Sequence, residues 1–377
     1  DGFVTIKPLA NYGTEILNGD VDANLWLYNE DKASLTVNGD LNIVQGLENS
    51  GSMDADKLTA NASVYNRASG SMTTELLMLK GGSAFFNEGS FSGVISGDSY
   101  KQNVVNTGEM TTVTDGSALI NGSFVLYNEA GSTLTNSGNA IAGGENAIVN
   151  ITRTSDSLSQ VNRGKITATN GYSAIKTAST ASNSNGKWIW NTETGVINGI
   201  NPDAPLIDLG RGYNFANAGT INVQGDGSVA ISGGTTSYTV QLVNSGTINV
   251  GTEQGKADGS NGEGLIGIKG NGSATTINNT KDGVINVYAD NSWAFGGSTK
   301  AIVNLLCNIG CEIYAPNTTG TRNSQDGTAD IIVPVASATP GQGNVPAAPV
   351  NAVSQQKLTN YTIGTNSDGS SGTLKAN

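Results

Sequence analysis

Short segments in which hydrophobic and polar residues alternate recur along the chain, and each follows an Asn. The clearest copies, residues 219–223, 246–250 and 283–287, read Gly, then Thr or Val, then Ile-Asn-Val. Alternation with a period of two residues predicts a β-strand that buries one face. The preceding Asn, usually followed closely by Gly, occurs at twelve positions: Asn29, Asn49, Asn66, Asn87, Asn106, Asn128, Asn162, Asn191, Asn217, Asn244, Asn279 and Asn308.

One such repeat is too short to bury its hydrophobic face alone. Stacked repeats bury a continuous core and pair the strand edges of neighbouring coils. The sequence therefore predicts an all-β fold, a parallel β-solenoid. We interpret the repeated Asn as structural, with an inward amide at the same corner of each coil stacking on the next.

The repeats lengthen along the chain. Successive Asn positions lie 17 to 22 residues apart up to Asn128 and 26 to 35 apart afterwards. The additional residues should leave the coils as loops, which are where repeat proteins often bind ligands. The longest predicted loops are 145–160, 177–187, 198–204, 251–263 and 317–329.

Composition narrows the functional classes. The 377 residues carry a net charge of −12, only 13% are charged, and there is no His. Surface helices need charged residues, so helices are unexpected. His-dependent catalytic triads and most zinc sites are excluded. No apolar run reaches the length of a membrane span, and an acidic chain without a basic cluster is a poor nucleic-acid binder. We expect no cofactor and no metal.

A solenoid places one outward position of successive coils in a row. In a second strand of the later repeats, the predicted row contains Ala142, Lys176, Asp208, Ser232, Gly267 and Gly296. Polar members of this row and charged residues in or beside the loops form the candidate ligand groove: Lys176, Asp208, Arg211, Ser232, Lys269, Asp203, Asp226, Lys256, Asp290 and Arg322. An ordinary solvated face is the competing interpretation.

Three further features of the sequence each allow more than one interpretation. The carboxylates Asp203 with Asp208, Asp226, Glu253 with Asp258, and Asp290 are candidate acid/base groups of a glycosidase, but acidic residues in Gly- and Asn-rich loops are more often turn formers. Trp188 and Trp190 alternate, so both point to one face, either as a sugar-stacking platform or as core or inter-coil packing. Cys307 and Cys311 favour a tight disulfide loop over a reduced pair.

The Asn-x-Gly-Thr-Ile-Asn-Val repeats, the close Cys pair, the lack of His and the polar stretch 361–374 together resemble passenger domains of bacterial type V autotransporters, in particular an adhesin of uropathogenic enterobacteria. The resemblance spans nearly the whole chain. It implies a right-handed parallel β-helix with three strands per coil, secretion through an outer-membrane barrel and display at the bacterial surface. It also implies binding to host glycosaminoglycans and fibronectin.

The functional hypothesis is a monomeric, non-enzymatic adhesin that binds a matrix polysaccharide along the groove and a glycoprotein such as fibronectin on another face. Self-association and polysaccharide cleavage are the alternatives. For domain organisation we expect a β-helix over residues 1–335, with lengthened coils from about 129, and over 336–377 a Pro-containing excursion followed by the start of further coils.

Overall fold

A computed structural model describes residues 4–6, 9–98, 102–152, 160–177, 187–210, 212–233, 240–270, 275–279, 282–297, 302–305, 312–314 and 322–324. The chain forms two compact units, residues 1–167 and 168–377. In each unit, strands pair in parallel with strands of the preceding and following coils. Each unit is a right-handed parallel β-helix, as predicted. The expectation for 336–377 lies outside the described residues.

The first unit consists of strands from successive coils. Its strands are β1 (Val4–Ile6), β2 (Leu9–Asn11), β3 (Thr14–Asn18), β4 (Val21–Ala23), β5 (Leu27–Asn29), β6 (Ser34–Ile43), β7 (Leu47–Asn49), β8 (Ser52–Ala60), β9 (Val64–Asn66), β10 (Ser71–Leu79), β11 (Ala84–Asn87), β12 (Ser90–Gly97), β13 (Gln102–Asn106), β14 (Glu109–Thr112), β15 (Ile120–Gly122), β16 (Phe124–Asn128), β17 (Thr133–Asn136), β18 (Ala147–Ile151), β19 (Gln160–Asn162) and β20 (Lys165–Ala168).

The second unit continues the same coil plan and adds one short helix. Its elements are β21 (Ser173–Thr177), β22 (Lys187–Asn191), β23 (Val196–Ile200), β24 (Ile207–Leu209), β25 (Tyr213–Asn217), β26 (Thr220–Gln224), β27 (Val229–Gly233), β28 (Val240–Asn244), β29 (Thr247–Val250), α1 (Glu253–Asp258), β30 (Ile266–Gly270), β31 (Thr275–Asn279), β32 (Val284–Val287), β33 (Trp293–Gly297), β34 (Ile302–Leu305), β35 (Glu312–Tyr314) and β36 (Arg322–Ser324).

A coil has three strands. The first ends at the repeated Asn, the second carries the alternating segment, and the third follows a corner, as in β16, β17 and β18. In several early coils the second and third strands are continuous, and the pairing shifts register at the corner, between Thr74 and Leu77 in β10. Gly93 occupies this corner in β12 with φ +152°, and a Cβ there would lie 2.0 Å from the Thr74 carbonyl oxygen. The corner therefore requires glycine.

Columns of aliphatic side chains fill the interior. Ile197, Ile221, Ile248 and Ile285 are Cα partners on β23, β26, β29 and β32, and each is fully buried. The Asn residues that follow them in sequence point outward and are only partly buried. Alternation along the sequence thus separates core from surface, as the hydrophobic pattern predicted.

A ladder of buried Asn side chains runs beside this core. In the first unit each Nδ2 donates to the Oδ1 of the next coil's Asn at 2.7 to 2.9 Å, from Asn11 through Asn29, Asn49, Asn66, Asn87, Asn106 and Asn128 to Asn162. In the second unit the ladder runs from Asn191 through Asn217 and Asn244 to Asn279 at the same distances. Most members also donate to a nearby backbone carbonyl, so the structural interpretation of these residues is confirmed.

Two ladder positions differ from the prediction. Asn11 begins the ladder although it was not predicted, because the segment after it lacks the alternating pattern: the exposed Glu15 is the Cα partner of the buried Leu35. Asn308 lies outside the described residues. The Cα partner of Asn279 in the next coil is Leu305 instead.

Helical structure is confined to α1 among the described residues, and that helix is six residues long. No helix in the described part of the chain has both the length and the apolar character to span a membrane.

The ladder makes a direct prediction for stability. Asn106 is fully buried, accepts from Asn87 at 2.8 Å and donates to Asn128 at 2.9 Å. Asn106→Ala leaves both neighbours short of a partner in a buried row, so we expect the free energy of unfolding to fall by about 2 to 4 kcal/mol. Chemical denaturation measures the loss. Asn103 is exposed on the same strand, and Asn103→Ala, the control, should change stability by less than about 0.5 kcal/mol. Equal effects of the two substitutions would contradict the ladder's role.

Candidate functional site

A row of four polar residues lies on the third strands of the second unit. Lys176 on β21 is the Cα partner of Asp208 on β24, Asp208 pairs with Ser232 on β27, and Ser232 pairs with Lys269 on β30. We call these four residues the lysine row. It continues to Gly296 on β33. Four of the ten predicted groove residues therefore come together through strand register alone.

The predicted row was wrong at two positions, and the cause in each case is a duplicated local sequence. Asn-Ala-Ile occurs at both 139–141 and 146–148. The third strand, β18, begins at Ala147, whereas Ile141 lies outside it with 48% of its surface exposed. Ala142 is therefore not on a third strand. Ile266 and Ile268 lie two residues apart on either side of Gly267, so either could be aligned with the Ile of the neighbouring strand. The register places Lys269, not Gly267, beside Ser232.

Burial shapes the charges in the lysine row. Burial raises the pKa of Asp208, and the positive charge of Lys176 partly opposes that rise. Ser232 is only 3% exposed, so its hydroxyl lies beneath the longer side chains of the row. The Lys176 and Lys269 side chains are partly exposed. The row therefore presents two separated ammonium groups with a half-buried carboxyl between them.

An insertion after β29 forms a second polar feature. Its helix, α1, begins after Thr252, whose side chain accepts from the Gly255 amide at 2.9 Å, and ends at Gly259 in the left-handed conformation. Asn261 closes the insertion, because its Oδ1 accepts from the Thr252 amide at 2.7 Å and its Nδ2 donates to the Thr252 carbonyl at 2.9 Å. The loop predicted at 251–263 is therefore an ordered structure.

The insertion bounds an open cleft of about 690 Å³ at the corner between second and third strands. We call it the corner cleft. Asp226, Lys256, Glu263, Tyr288 and Asp290 supply its main side chains. Asp226 Oδ1 accepts from the Glu263 amide at 2.9 Å, and Glu263 Oε2 accepts from Nδ2 of the adjacent Asn291 at 3.0 Å. A backbone amide thus holds the Asp226 carboxylate, and a side-chain amide of the neighbouring coil holds that of Glu263.

The charges of the corner cleft are mixed. Three carboxylates, Asp226, Glu263 and Asp290, accompany one ammonium group, that of Lys256. Burial lowers the pKa of Lys256, and the Asp290 carboxylate partly restores it. Carboxylates and an aromatic hydroxyl suit the hydroxyl groups of a sugar, while Lys256 can meet one anionic group.

Of the other predicted groove residues, Asp203 joins neither feature. Asp203 is exposed on the turn before β24, where its amide donates to the Gly171 carbonyl at 3.3 Å. The backbone of Arg322 pairs with Trp293. Arg211, Cys307 and Cys311 lie outside the described residues.

Sequence reasoning missed Glu263 and Tyr288. Asp226, Glu263 and Asp290 each lie three residues before a third strand, at Val229, Ile266 and Trp293. Alignment on the third strands would therefore have found Glu263. Tyr288 follows β32 directly and enters the cleft through the turn, which the alternating pattern does not encode. The candidate acid pair Glu253 and Asp258 lies at the two ends of α1.

The buried carboxyl makes a pH-dependent prediction. Since burial raises the pKa of Asp208 above its ordinary value of 3.8, the folded protein holds the proton more tightly than the unfolded chain. Stability is therefore lost as pH rises through 3.8 and the folded-state pKa. Asp208→Asn removes this loss, so the thermal unfolding midpoint should rise at neutral pH, and the difference should vanish well below pH 3.8. A lower midpoint for the variant at neutral pH would show that the pair with Lys176 outweighs the burial cost.

Comparison with known proteins identifies the family. The model of the BigA fourth domain matches residues 32–312, more than half of the chain. A Salmonella typhimurium protein named "Putative surface-exposed virulence protein BigA" is 64% identical over 385 residues, which cover 100% of this chain and 20% of that protein. The chain thus spans about a fifth of the relative's length.

No solved structure matches the chain. The resemblance to autotransporter passenger domains remains a prediction, since these comparisons match a different family description. The family model and the extent of identity give the same assignment: the chain belongs to the BigA fourth-domain family.

Proposed function

We propose that this chain is a segment of a bacterial cell-surface adhesin that binds an extended host matrix glycan without cleaving it. The printed name of the Salmonella relative, a surface-exposed virulence protein, supports display at the cell surface. The observation that carries the proposal is the lysine row, in which strand register aligns two lysines, a carboxyl and a hydroxyl on one face.

The spacing of the row suits a polymer with regularly placed anionic groups. Lys176 and Lys269 are separated by three strand spacings, or about 14 Å. Two sulfates or carboxylates along a glycosaminoglycan-like chain could each meet one ammonium group, while an intervening sugar hydroxyl contacts Asp208. Charge-assisted hydrogen bonds of this kind are the stronger ones.

The corner cleft extends the same surface. Asp226 precedes Ser232 by six residues, and Glu263 precedes Lys269 by six. Six residues of extended chain span at most about 20 Å. A glycan of several sugars that crosses the third strands could therefore contact the lysine row and reach the cleft, where Lys256 offers a third cation.

The overall charge limits the binding mode. A chain with net charge −12 does not attract a polyanion over long distances, so recognition has to come from local contacts and should weaken as salt rises.

We extend the proposal in three respects. The segment binds a matrix glycoprotein such as fibronectin on another face, it is secreted through the protein's own outer-membrane translocator barrel, and it is monomeric. These extensions are supported by the resemblance to autotransporter passengers.

Charge reversal of the row tests the proposal. Lys176→Glu with Lys269→Glu should weaken binding to immobilised heparan sulfate or chondroitin sulfate at least about tenfold, because each lost charged hydrogen bond is worth about 1.5 to 3 kcal/mol. Surface plasmon resonance at low and physiological salt measures the change.

The control must carry the same added charge elsewhere. Lys80 with Lys165, both exposed residues of the first unit, can be replaced by Glu in the same way. We expect this double variant to bind nearly as the parent does. Equal losses in the two variants would mean that only net charge matters, and unchanged binding by the row variant would reject the lysine row as the glycan site.

A further inference from the structure

Two tryptophans form an exposed pair on a different face of the second unit. Trp188 and Trp190 flank Ile189 on β22, and Ile189 points into the core with 2% of its surface exposed. Both indoles are therefore on the outward face. Trp190 is 43% exposed. The two ring centroids are 5.2 Å apart with an angle of 29° between the planes. Core packing does not describe this exposed pair, and the two indoles stack within one strand and not between coils.

The pair leaves part of one indole accessible. Stacking against Trp188 covers one face of Trp190. The Cα partner of Trp190 on β25 is Ala216, and the next residue in that row is Val243 on β28. These small side chains do not cover an indole. Trp190 is therefore supported on one side by Trp188 and keeps 43% of its surface accessible to a flat ligand that stacks.

The first strands of the coils that follow the pair carry no fixed charge. Strands β25, β28 and β31, which follow β22 in the sheet, contain no Asp, Glu, Lys or Arg. The row beside Trp188 continues through Asn214, whose Oδ1 accepts from the Gln241 amide at 2.8 Å, to the exposed Gln241 side chain. Together with the tryptophan pair, these three strands thus offer an aromatic ring and an amide, and they contain no cation that pairs with a sulfate or carboxylate.

Aromatic residues on the first strands of the first unit are arranged differently. Tyr65 and Phe86 stack on each other across coils, with centroids 4.9 Å apart and planes 5° apart. Arg67 lies 5.0 Å from the Tyr65 ring centroid and forms ion pairs with Glu48 and Glu88. Those rings are used in packing between coils and are flanked by charge. The contrast marks the Trp188–Trp190 pair as a binding feature.

We propose that Trp190, supported by Trp188, stacks on the apolar C–H face of a neutral pyranose, with Gln241 bonding to the hydroxyls of a neighbouring sugar. The ligand is a neutral β-linked oligosaccharide. A charged glycosaminoglycan is the poorer fit, because β25, β28 and β31 supply no cation to replace the solvation of its anionic groups. The site lies on the first strands, whereas the lysine row lies on the third strands, so this proposal does not depend on the proposed function.

Tryptophan fluorescence provides the test, since the chain has four tryptophans and Trp190 is exposed. The protein is titrated with a lactosamine hexasaccharide, which represents host glycans, and with cellohexaose, which represents bacterial matrix polymers. A heparin hexasaccharide is the charged comparison. We expect a saturable change in emission with at least one neutral oligosaccharide and none from the heparin fragment at physiological salt. The neutral sugar that binds identifies the source.

Substitutions separate stacking from folding. Trp190→Ala should weaken neutral-sugar binding, measured by calorimetry, at least about tenfold, and Trp190→Phe should retain part of it. Tyr12, an aromatic residue 78% exposed in the first unit, provides the control, and Tyr12→Ala should bind as the parent does. Far-UV circular dichroism verifies that each variant is folded.

Saturable binding that survives in folded Trp190→Ala would overturn the proposal, and so would the failure of both neutral oligosaccharides to bind. The Lys176→Glu, Lys269→Glu variant separates the two proposals. It should lose glycosaminoglycan binding and keep neutral-sugar binding, so each site can fail without the other.

Discussion

The buried Asn ladder is the constraint on which the rest of this structure depends. An amide removed from water needs partners for its oxygen and its nitrogen, and here the carbonyl of one Asn faces the amino group of the Asn in the neighbouring coil. Because this bond forms only when the two Asn are Cα partners, a slip of one residue would leave both unsatisfied and would also turn the aliphatic column outward. Register in the first strand then fixes register in the strands that follow.

Fixed register determines where the coils can vary. The first and second strands keep nearly constant length, since they hold the ladder and the Ile columns. The additional residues of the later coils are placed elsewhere, and the clearest case is the insertion after β29, which produces α1 and the corner cleft. The same register places Lys176, Asp208, Ser232 and Lys269 side by side although 93 residues separate the first from the last. The candidate sites thus arise from stacking and not from a local motif.

The alternating segments and the repeated Asn were sufficient to predict the strands, their parallel stacking and the ladder. Both are strong signals in the sequence: a hydrophobic period of two residues, and one polar residue that recurs at the same position of each coil. The third strands were harder to predict. The duplicated Asn-Ala-Ile and the Ile-Gly-Ile segment can each be aligned in two ways that bury the same hydrophobic side chains.

The corner cleft could be predicted only in part. Asp226, Lys256 and Asp290 were identified, but Tyr288 required the turn geometry, and the burial of Asp208 depends on neighbours from other coils. The position of the uncharged strands β25 and β28 beside Trp190 likewise follows only from the stacking of the coils.

Hydrogen exchange of Asn side-chain amides, followed by NMR in protein labelled selectively at Asn, tests the ladder most directly. The account predicts that the side-chain amide protons of Asn87, Asn106 and Asn128 exchange slowly, because each is buried and bonded, while those of the exposed Asn103 exchange at the rate of a free amide. Equally rapid exchange at all four residues would contradict it.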